Sequence, residues 1–150
     1  MSNSTTGWLW VAGQGVLLGA LVFWPDGDVW GRPSALLALA VVLFFGGLGL
    51  VVISALGLGA GLTPTPVPTQ SGKLITSGLY RFVRHPIYTG VLAVVVGITL
   101  RSASLVHVAL AVLTVLFFDR KAEWEEQRLR ETYPDYDAYA AQTPKFIPFT

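Results

Sequence analysis

The chain has 150 residues, 53% of them hydrophobic and 13% charged, and its mean hydropathy is +0.59. The charges are unevenly placed: seven of the nineteen lie in the first 118 residues, and segments 1–25 and 33–72 carry none. A small soluble domain cannot bury so much uninterrupted apolar sequence, so the composition predicts an integral membrane protein. The net charge of +1 argues against a nucleic-acid partner, and the absence of cysteine excludes a disulfide scaffold, an iron–sulfur cluster and a thiol nucleophile.

Four apolar stretches are candidates for membrane-spanning helices. They cover residues 7–24, 34 to about 61, 86–100 and 103–118. A helix needs about 20 apolar residues to cross a bilayer, so the last two stretches are marginal. Only Arg101 and Ser102 separate them. We therefore expect a tight helical hairpin from which Arg101 reaches outward.

The basic residues predict how the chain is oriented. Lys73, Arg81 and Arg84 precede the hairpin, and a second basic group follows it at Arg120, Lys121, Arg128 and Arg130. Cytoplasmic loops carry an excess of Lys and Arg, so both termini and loop 62–85 are expected in the cytoplasm. The predicted fold is an all-α polytopic membrane protein with about four spans. The proline-rich segment 63–70 is expected to be extended. A polar helix is predicted from residue 119 to about 133, a short helix over 134–141, and an extended end.

Segment 74–90, LITSGLYRFVRHPIYTG, leads into the hairpin. Ser77-Gly78 is typical of a turn, and Pro86 can open a helix because the first helical residue has no hydrogen bond to lose. His85 should therefore be extended, and Arg84 and His85 should lie beside a helix N-terminus, which favours an anionic ligand group. The alternative is that these basic and aromatic residues are ordinary interfacial anchors.

Two glycines of the third apolar stretch lie seven residues apart. Gly90 and Gly97 should fall on one face of the helix, where the lack of side chains allows another helix to approach closely.

Segment 119–139 leads out of the hairpin. Glu125 and Glu126 occupy a rung of an otherwise apolar helical stripe that contains Phe118, Ala122, Leu129 and Tyr133. A carboxylate in such a packing seam indicates a polar partner within the fold. The alternative is a surface helix with the i,i+4 pairs Lys121–Glu125 and Glu126–Arg130. Since both segments flank the same hairpin, we expect them to meet at one membrane face.

Polar side chains within the apolar stretches are few. Gln14 and His107 qualify, but neither is a strong functional candidate, and an ordinary interfacial or hydrogen-bonded role is expected for His107. With only two histidines in the chain, metal-ligand spacings are absent, and no metal site is predicted.

The pattern L-x-T-S-G-x-Y-R-x-x-R-H-P-x-Y-x-G, followed by the hairpin and E-E-x-x-L-x-x-x-Y-x-x-Y-x-x-Y, resembles the isoprenylcysteine carboxyl methyltransferase family and the broader group of phospholipid methyltransferases. The resemblance covers roughly residues 66–149. It implies a single membrane methyltransferase domain over 1–150, with helical spans in 7–61 and a cofactor-binding core in 66–149. It also implies S-adenosylmethionine as cofactor and a lipophilic or small acceptor, with the site facing the cytoplasm.

The resemblance further assigns residues to roles. Arg84 and Glu126 are expected in catalysis and Lys121 at the acceptor. The residues expected to hold the cofactor are Lys73, Leu74, Ile75, Tyr80, His85, Pro86, Ile87, Tyr88 and Glu125.

This chain departs from the family pattern at two places. Lys121 stands where the family usually has arginine, and Tyr133-Pro134 replaces the usual Phe-Gly. Lysine cannot reproduce a bidentate arginine contact, so the acceptor is left open among a carboxylate, a thiol and an amine. Two other functions are considered, an NADPH-dependent lipid or sterol reductase and a non-enzymatic membrane subunit. A second copy of the chain is a possible partner because small residues line exposed helix faces.

Overall fold

A computed structural model describes residues 3–59 and 73–148. Within these ranges all regular structure is helical, which agrees with the all-α prediction. The helices are α1 Asn3–Phe23, α2 Ser34–Leu58, a 3₁₀ turn Gly78–Arg81, α3 Pro86–Ser102, α4 Leu105–Thr132 and α5 Tyr136–Gln142. The predicted extended segment 63–70 lies outside the described residues.

Two of the described helices, Thr5–Phe23 and Ser34–Leu58, are long and apolar enough to cross a membrane. Helix α3 is apolar but has only 17 residues. The first half of α4 exposes large apolar side chains such as Leu105, Val112, Leu113 and Leu116, as a lipid-facing helix does. Length and hydropathy thus support two of the four predicted spans.

The turn between α3 and α4 lies two residues later than the sequence suggested. Arg101 and Ser102 form the last turn of α3, and the chain reverses at Ala103, which has the left-handed backbone angle φ 48°. Arg32 donates from Nε to the Arg101 carbonyl at 2.8 Å and from Nη2 to the Ser102 carbonyl at 3.1 Å. These bonds satisfy carbonyls that a helix end leaves free. Arg101 does reach outward, where it pairs with Asp26 at 3.2 Å.

Glycines bring α2 and α3 into close contact. A Cβ added at Gly90 would lie 2.7 Å from the Gly47 carbonyl oxygen, and one added at Gly97 would lie 2.7 Å from the Ala40 carbonyl oxygen. Real Cβ atoms do not approach so closely, so the pair can pack this way only with glycine at these positions. The predicted close-approach face of α3 is therefore confirmed, and α2 is its partner.

Helix α1 packs against α4. A Cβ at Gly13 would lie 2.9 Å from the Phe117 ring, and the Trp10 and Phe117 rings meet edge-on at 5.1 Å. His107 is buried, with its Nε2 3.1 Å from the Leu21 carbonyl oxygen. The expected hydrogen-bonded role of His107 is confirmed.

Candidate active site

The segment that leads into α3 has the turn and the helix start that its sequence predicts. Gly78 opens the 3₁₀ turn with φ 62°, a left-handed angle that glycine adopts without strain. Pro86 is the first residue of α3, as predicted. His85 precedes it with φ −124° and ψ 62°, so the expected extended geometry of His85 is wrong in ψ. The side chains of Arg84 and His85 are thereby fixed between the 3₁₀ turn and the start of α3.

Arg84 joins three parts of the chain. Its Nε donates to Glu126 Oε1 of α4 at 2.9 Å. Its Nη1 donates to the carbonyls of Ala140 and Thr143, at 2.8 and 2.5 Å, so α5 and the residues after it are held as well. A guanidinium offers five donors in a rigid fork, which suits this arrangement of acceptors.

Glu126 is the buried carboxylate of the site, with 4% of its side chain exposed. Its Oε1 also lies 3.0 Å from His85 Nε2, and its Oε2 lies 3.4 Å from Arg130 Nη2. Burial alone would raise the pKa of Glu126, but the hydrogen bonds and charges of His85 and Arg84 together outweigh it and lower the pKa to about 2. Glu126 is therefore ionised and fully engaged in binding its neighbours.

Glu125 is the accessible carboxylate, with 25% of its side chain exposed. Tyr88 donates its hydroxyl to Glu125 Oε2 at 2.8 Å, and His85 Nδ1 lies 3.8 Å from the same oxygen. The His85 and Tyr88 rings are parallel, with centroids 5.2 Å apart. The two glutamates thus differ: one is enclosed among cations, and the other borders an aromatic surface.

Lys121 completes this side of the site. It is 5% exposed, and its Nζ donates to Gln14 Oε1 of α1 at 2.5 Å. The Nζ also lies 5.1 Å from the Tyr88 ring centroid. Burial lowers the pKa of Lys121, although the nearby charge of Glu125 raises it. We call the group formed by Arg84, His85, Tyr88, Lys121, Glu125 and Glu126 the charged cluster.

The segment after α5 contacts the cluster through its backbone. The amide of Arg84 donates to the Pro144 carbonyl at 2.9 Å, and the amide of His85 donates to the Lys145 carbonyl at 3.1 Å. Lys145 also pairs with Asp119 of α4 at 2.8 Å. The sequence did not predict these contacts, because backbone acceptors leave no residue-specific pattern.

Tyr80 is one of the residues that line a cavity of about 360 Å³. Its carbonyl accepts from the Tyr139 hydroxyl, and its own hydroxyl donates weakly, at 3.4 Å, to the Ser54 carbonyl. Burial and the charge of Glu125 raise the pKa of Tyr80 well above its usual value. The cavity is lined by α2 and the 3₁₀ segment, at Ile53, Ser54, Gly57 and residues 77–82. The cavity therefore shares Tyr80 with the predicted cofactor-binding residues.

The remaining predicted residues are placed as follows. Pro86 is buried at the start of α3, and Ile87 is partly buried next to it. Lys73 is exposed, and Leu74 and Ile75 are partly buried in a segment without regular structure. Among the described residues, no hydrogen bond or ion pair joins Lys73, Leu74 or Ile75 to the charged cluster. Within the same residues, no group of three or more His, Cys, Asp or Glu side chains could hold a metal ion.

Comparison with known proteins identifies the family. Residues 35–136 match the family described as phospholipid methyltransferase. Protein-S-isoprenylcysteine O-methyltransferase B of Arabidopsis thaliana is 34% identical over 141 residues, covering 77% of this chain and 70% of that protein. The chain belongs to the isoprenylcysteine carboxyl methyltransferase family. The resemblance found in the sequence is thus confirmed.

This chain spans only part of the length of other proteins that it is similar to. The nickel-cobalt-cadmium resistance protein NccN of Alcaligenes xylosoxydans xylosoxydans is 32% identical over 80 residues, which cover 53% of this chain and 38% of NccN. A solved structure of a eukaryotic intramembrane Ras methyltransferase, an isoprenylcysteine carboxyl methyltransferase, matches 98% of this chain and 51% of its own, with a TM-score of 0.69 and 21% identity. At that identity the solved structure shows that the family fold is shared.

Proposed function

We propose that this chain transfers a methyl group from S-adenosylmethionine to a lipophilic or small acceptor at the cytoplasmic face of a membrane. The observation that carries the proposal is the bond from Tyr88 to Glu125, which joins the start of α3 to α4 beside the His85 ring. Family membership supports methyl transfer as the reaction. The whole chain is proposed to act as one domain, with the cofactor held by its core, 66–149.

The residues present fit this cofactor. When bound, S-adenosylmethionine would supply a methyl group on a positively charged sulfonium. Aromatic faces attract such cations, and the Tyr88 ring, which is parallel to that of His85, offers one. Glu125 is the partly exposed carboxylate that can accept from an amino group of the nucleoside or the amino acid part. The resemblance to the family is the basis for six further proposed cofactor contacts, which are Lys73, Leu74, Ile75, Tyr80, Pro86 and Ile87.

Arg84 and Glu126 act in the proposed reaction by positioning. They bind each other, His85 and the carbonyls of Ala140 in α5 and of Thr143 after it, so they hold the aromatic face and Glu125 in a fixed relation. A preorganised site of this kind lowers the barrier through orientation and needs no metal or covalent intermediate. Lys121 is proposed to contact the acceptor.

The membrane arrangement is also part of the proposal. Four spans, formed by α1, α2, α3 and the first half of α4, would place Arg81, Arg84 and the basic residues of the second half of α4 on one side, as the positive-inside rule requires. The cavity beside Tyr80 is mostly apolar and adjoins exposed Ile53 and Phe82 of the lipid-facing surface. We propose that the acceptor enters there from the bilayer.

Replacing Glu125 tests the proposed function. The variant Glu125→Gln should weaken S-adenosylmethionine binding about tenfold, since a charge-assisted hydrogen bond becomes a neutral one, while the fold stays intact. The control Glu123→Gln removes a half-exposed carboxylate of the same helix and should bind like the wild type. Calorimetry of purified protein measures the affinity, and release of S-adenosylhomocysteine with a panel of acceptors measures turnover. An unaltered dissociation constant in Glu125→Gln would refute the role of Glu125, and binding of NADPH in place of S-adenosylmethionine would favour the reductase.

A further inference from the structure

Helix α1 contributes a polar side chain to the charged cluster. Residues 35–136 carry the family match, so α1 lies outside it. Gln14 is nevertheless the hydrogen-bond partner of Lys121, with its Oε1 2.5 Å from the ammonium nitrogen. An amide in an otherwise uncharged apolar helix is costly unless it is bonded, and here it bonds to a proposed acceptor residue.

The position of Gln14 is fixed by packing. The neighbouring Gly13 lies against the Phe117 ring so closely that a Cβ would be 2.9 Å from it. Trp10 meets the same ring edge-on at 5.1 Å and lies 6.5 Å from Trp124. These contacts lie on α1 and α4 within one turn of Gln14 and Lys121. The amide is therefore built into the helix interface and is not a chance surface contact.

The environment of Lys121 differs from that of the other buried cation of the cluster. Arg84 has the carboxylate of Glu126 at 2.9 Å, whereas the ammonium of Lys121 has a neutral amide and the rings of Tyr88 and Phe118. The titratable groups around it are Tyr88 from α3 and Glu125 from α4. A buried ammonium with a neutral hydrogen-bond partner gains from an added negative charge, because burial penalises its own charge.

We propose that Gln14 is a positioning residue that holds the Lys121 ammonium in place to bind an anionic methyl acceptor. This inference rests on the proposed function and deepens it. The amide takes one of the three donors of the ammonium and leaves two for an oxygen anion of the acceptor. An acceptor that presents a carboxylate should therefore use this contact, and an acceptor that presents an amine should not.

The test compares two variants at position 14. Gln14→Leu removes the amide and leaves an apolar side chain that is one heavy atom shorter, whereas Gln14→Glu keeps an oxygen that can accept from Lys121. With N-acetyl-S-farnesylcysteine as carboxylate acceptor, Gln14→Leu should raise KM about tenfold and leave the S-adenosylmethionine dissociation constant unchanged. Gln14→Glu should recover binding of the ammonium and shift the alkaline limb of the kcat/KM profile to higher pH. Gln127→Leu on α4, where the glutamine is exposed, is the matched control.

A second measurement does not depend on turnover. The chemical shift of the Lys121 side-chain nitrogen, followed by NMR of 15N-lysine-labelled protein as the pH rises, reports the protonation of its ammonium. The midpoint should move to lower pH in Gln14→Leu and to higher pH in Gln14→Glu. Equal midpoints and equal KM in Gln14→Leu and the wild type would overturn the role of Gln14 while leaving methyl transfer intact. A wild type that fails to bind S-adenosylmethionine would instead overturn the proposed function.

Discussion

The α3–α4 hairpin is closed by an arginine at each end, and the two ends differ in what surrounds that arginine. Arg32, at the turn, is exposed and donates to the backbone carbonyls of Gly27, Arg101 and Ser102. Arg84, at the open end, is largely buried and binds a carboxylate as well as carbonyls. Capping a helix end needs only the first arrangement.

The open end also contains ionisable groups that helix packing does not require. Glu125, Tyr88 and Lys121 lie within one bonded group there, and Glu125 is partly exposed. A structural ion pair explains the presence of Arg84 and Glu126, but it does not explain the other ionisable groups. The additional groups are the reason for placing a reaction at the open end and a purely structural role at the turn.

Replacing the two arginines in turn should give the largest difference in stability between the two ends of the hairpin. Arg84→Ala leaves the buried Glu126 carboxylate without one of its cations and should lower the free energy of unfolding by about 3–5 kcal/mol. The control Arg32→Ala exposes carbonyls to solvent and should cost about 1 kcal/mol. Denaturant unfolding of the detergent-solubilised protein measures both. Similar losses in the two variants would show that the open end is no more than a second cap.

Lowering the pH should destabilise the open end of the hairpin because Glu126 becomes protonated. Its pKa is lowered from 4.5 to about 2, so its contribution to stability is complete above about pH 4.5 and is lost as the pH falls towards 2. The loss should amount to on the order of 3 kcal/mol over that window. Unfolding of the wild type and of Glu126→Gln between pH 6 and pH 2 measures it.

The two proteins should converge as the pH falls, because the variant has no carboxylate to protonate at this position. Parallel curves would mean that Glu126 is not bound by His85 and Arg84 as the structure describes.

A smaller effect, on kcat/KM, is expected when the cavity beside Tyr80 is filled. It tests whether the acceptor enters the site through this cavity. Gly57 lines this cavity, and a Cβ there would lie 4.0 Å from the Tyr80 ring. Gly57→Phe should fill the space and reduce kcat/KM for a farnesylated acceptor about tenfold, with S-adenosylmethionine binding unchanged. Gly46→Phe on the exposed face of α2, where no atom lies within 4 Å of a Cβ, is the control. Equal activity of both variants would place acceptor entry elsewhere.

Local features were predictable from the sequence, and long-range partners were not. Pro86 and Gly78 fix a helix start and a turn through their own backbone preferences, so both of these features were predicted correctly. Glu125 and Glu126 interrupt an apolar stripe, which indicated a polar partner. That the two carboxylates have different partners depends on the rotation of α4 against α3, which no local pattern encodes.

Two further features had weak signals. Gln14 was noted as a polar residue in an uncharged stretch and given no role, because its pairing with Lys121 spans 107 residues and depends on how α1 packs. The turn at Ala103 was misplaced by two residues because alanine has no preference for the left-handed conformation that it adopts. Apolar composition likewise indicated membrane helices without fixing where α3 ends.

The backbone pairing between 84–85 and 144–145 has a consequence for how the protein is made. Ribosomes deliver the apolar helices first, and these can enter the lipid in order of synthesis. The Arg84 side chain can form its hydrogen bonds to the carbonyls of Ala140 and Thr143 only after these later residues have been synthesised. Insertion and maturation are therefore separate events, and a chain arrested before residue 140 would be inserted but inactive.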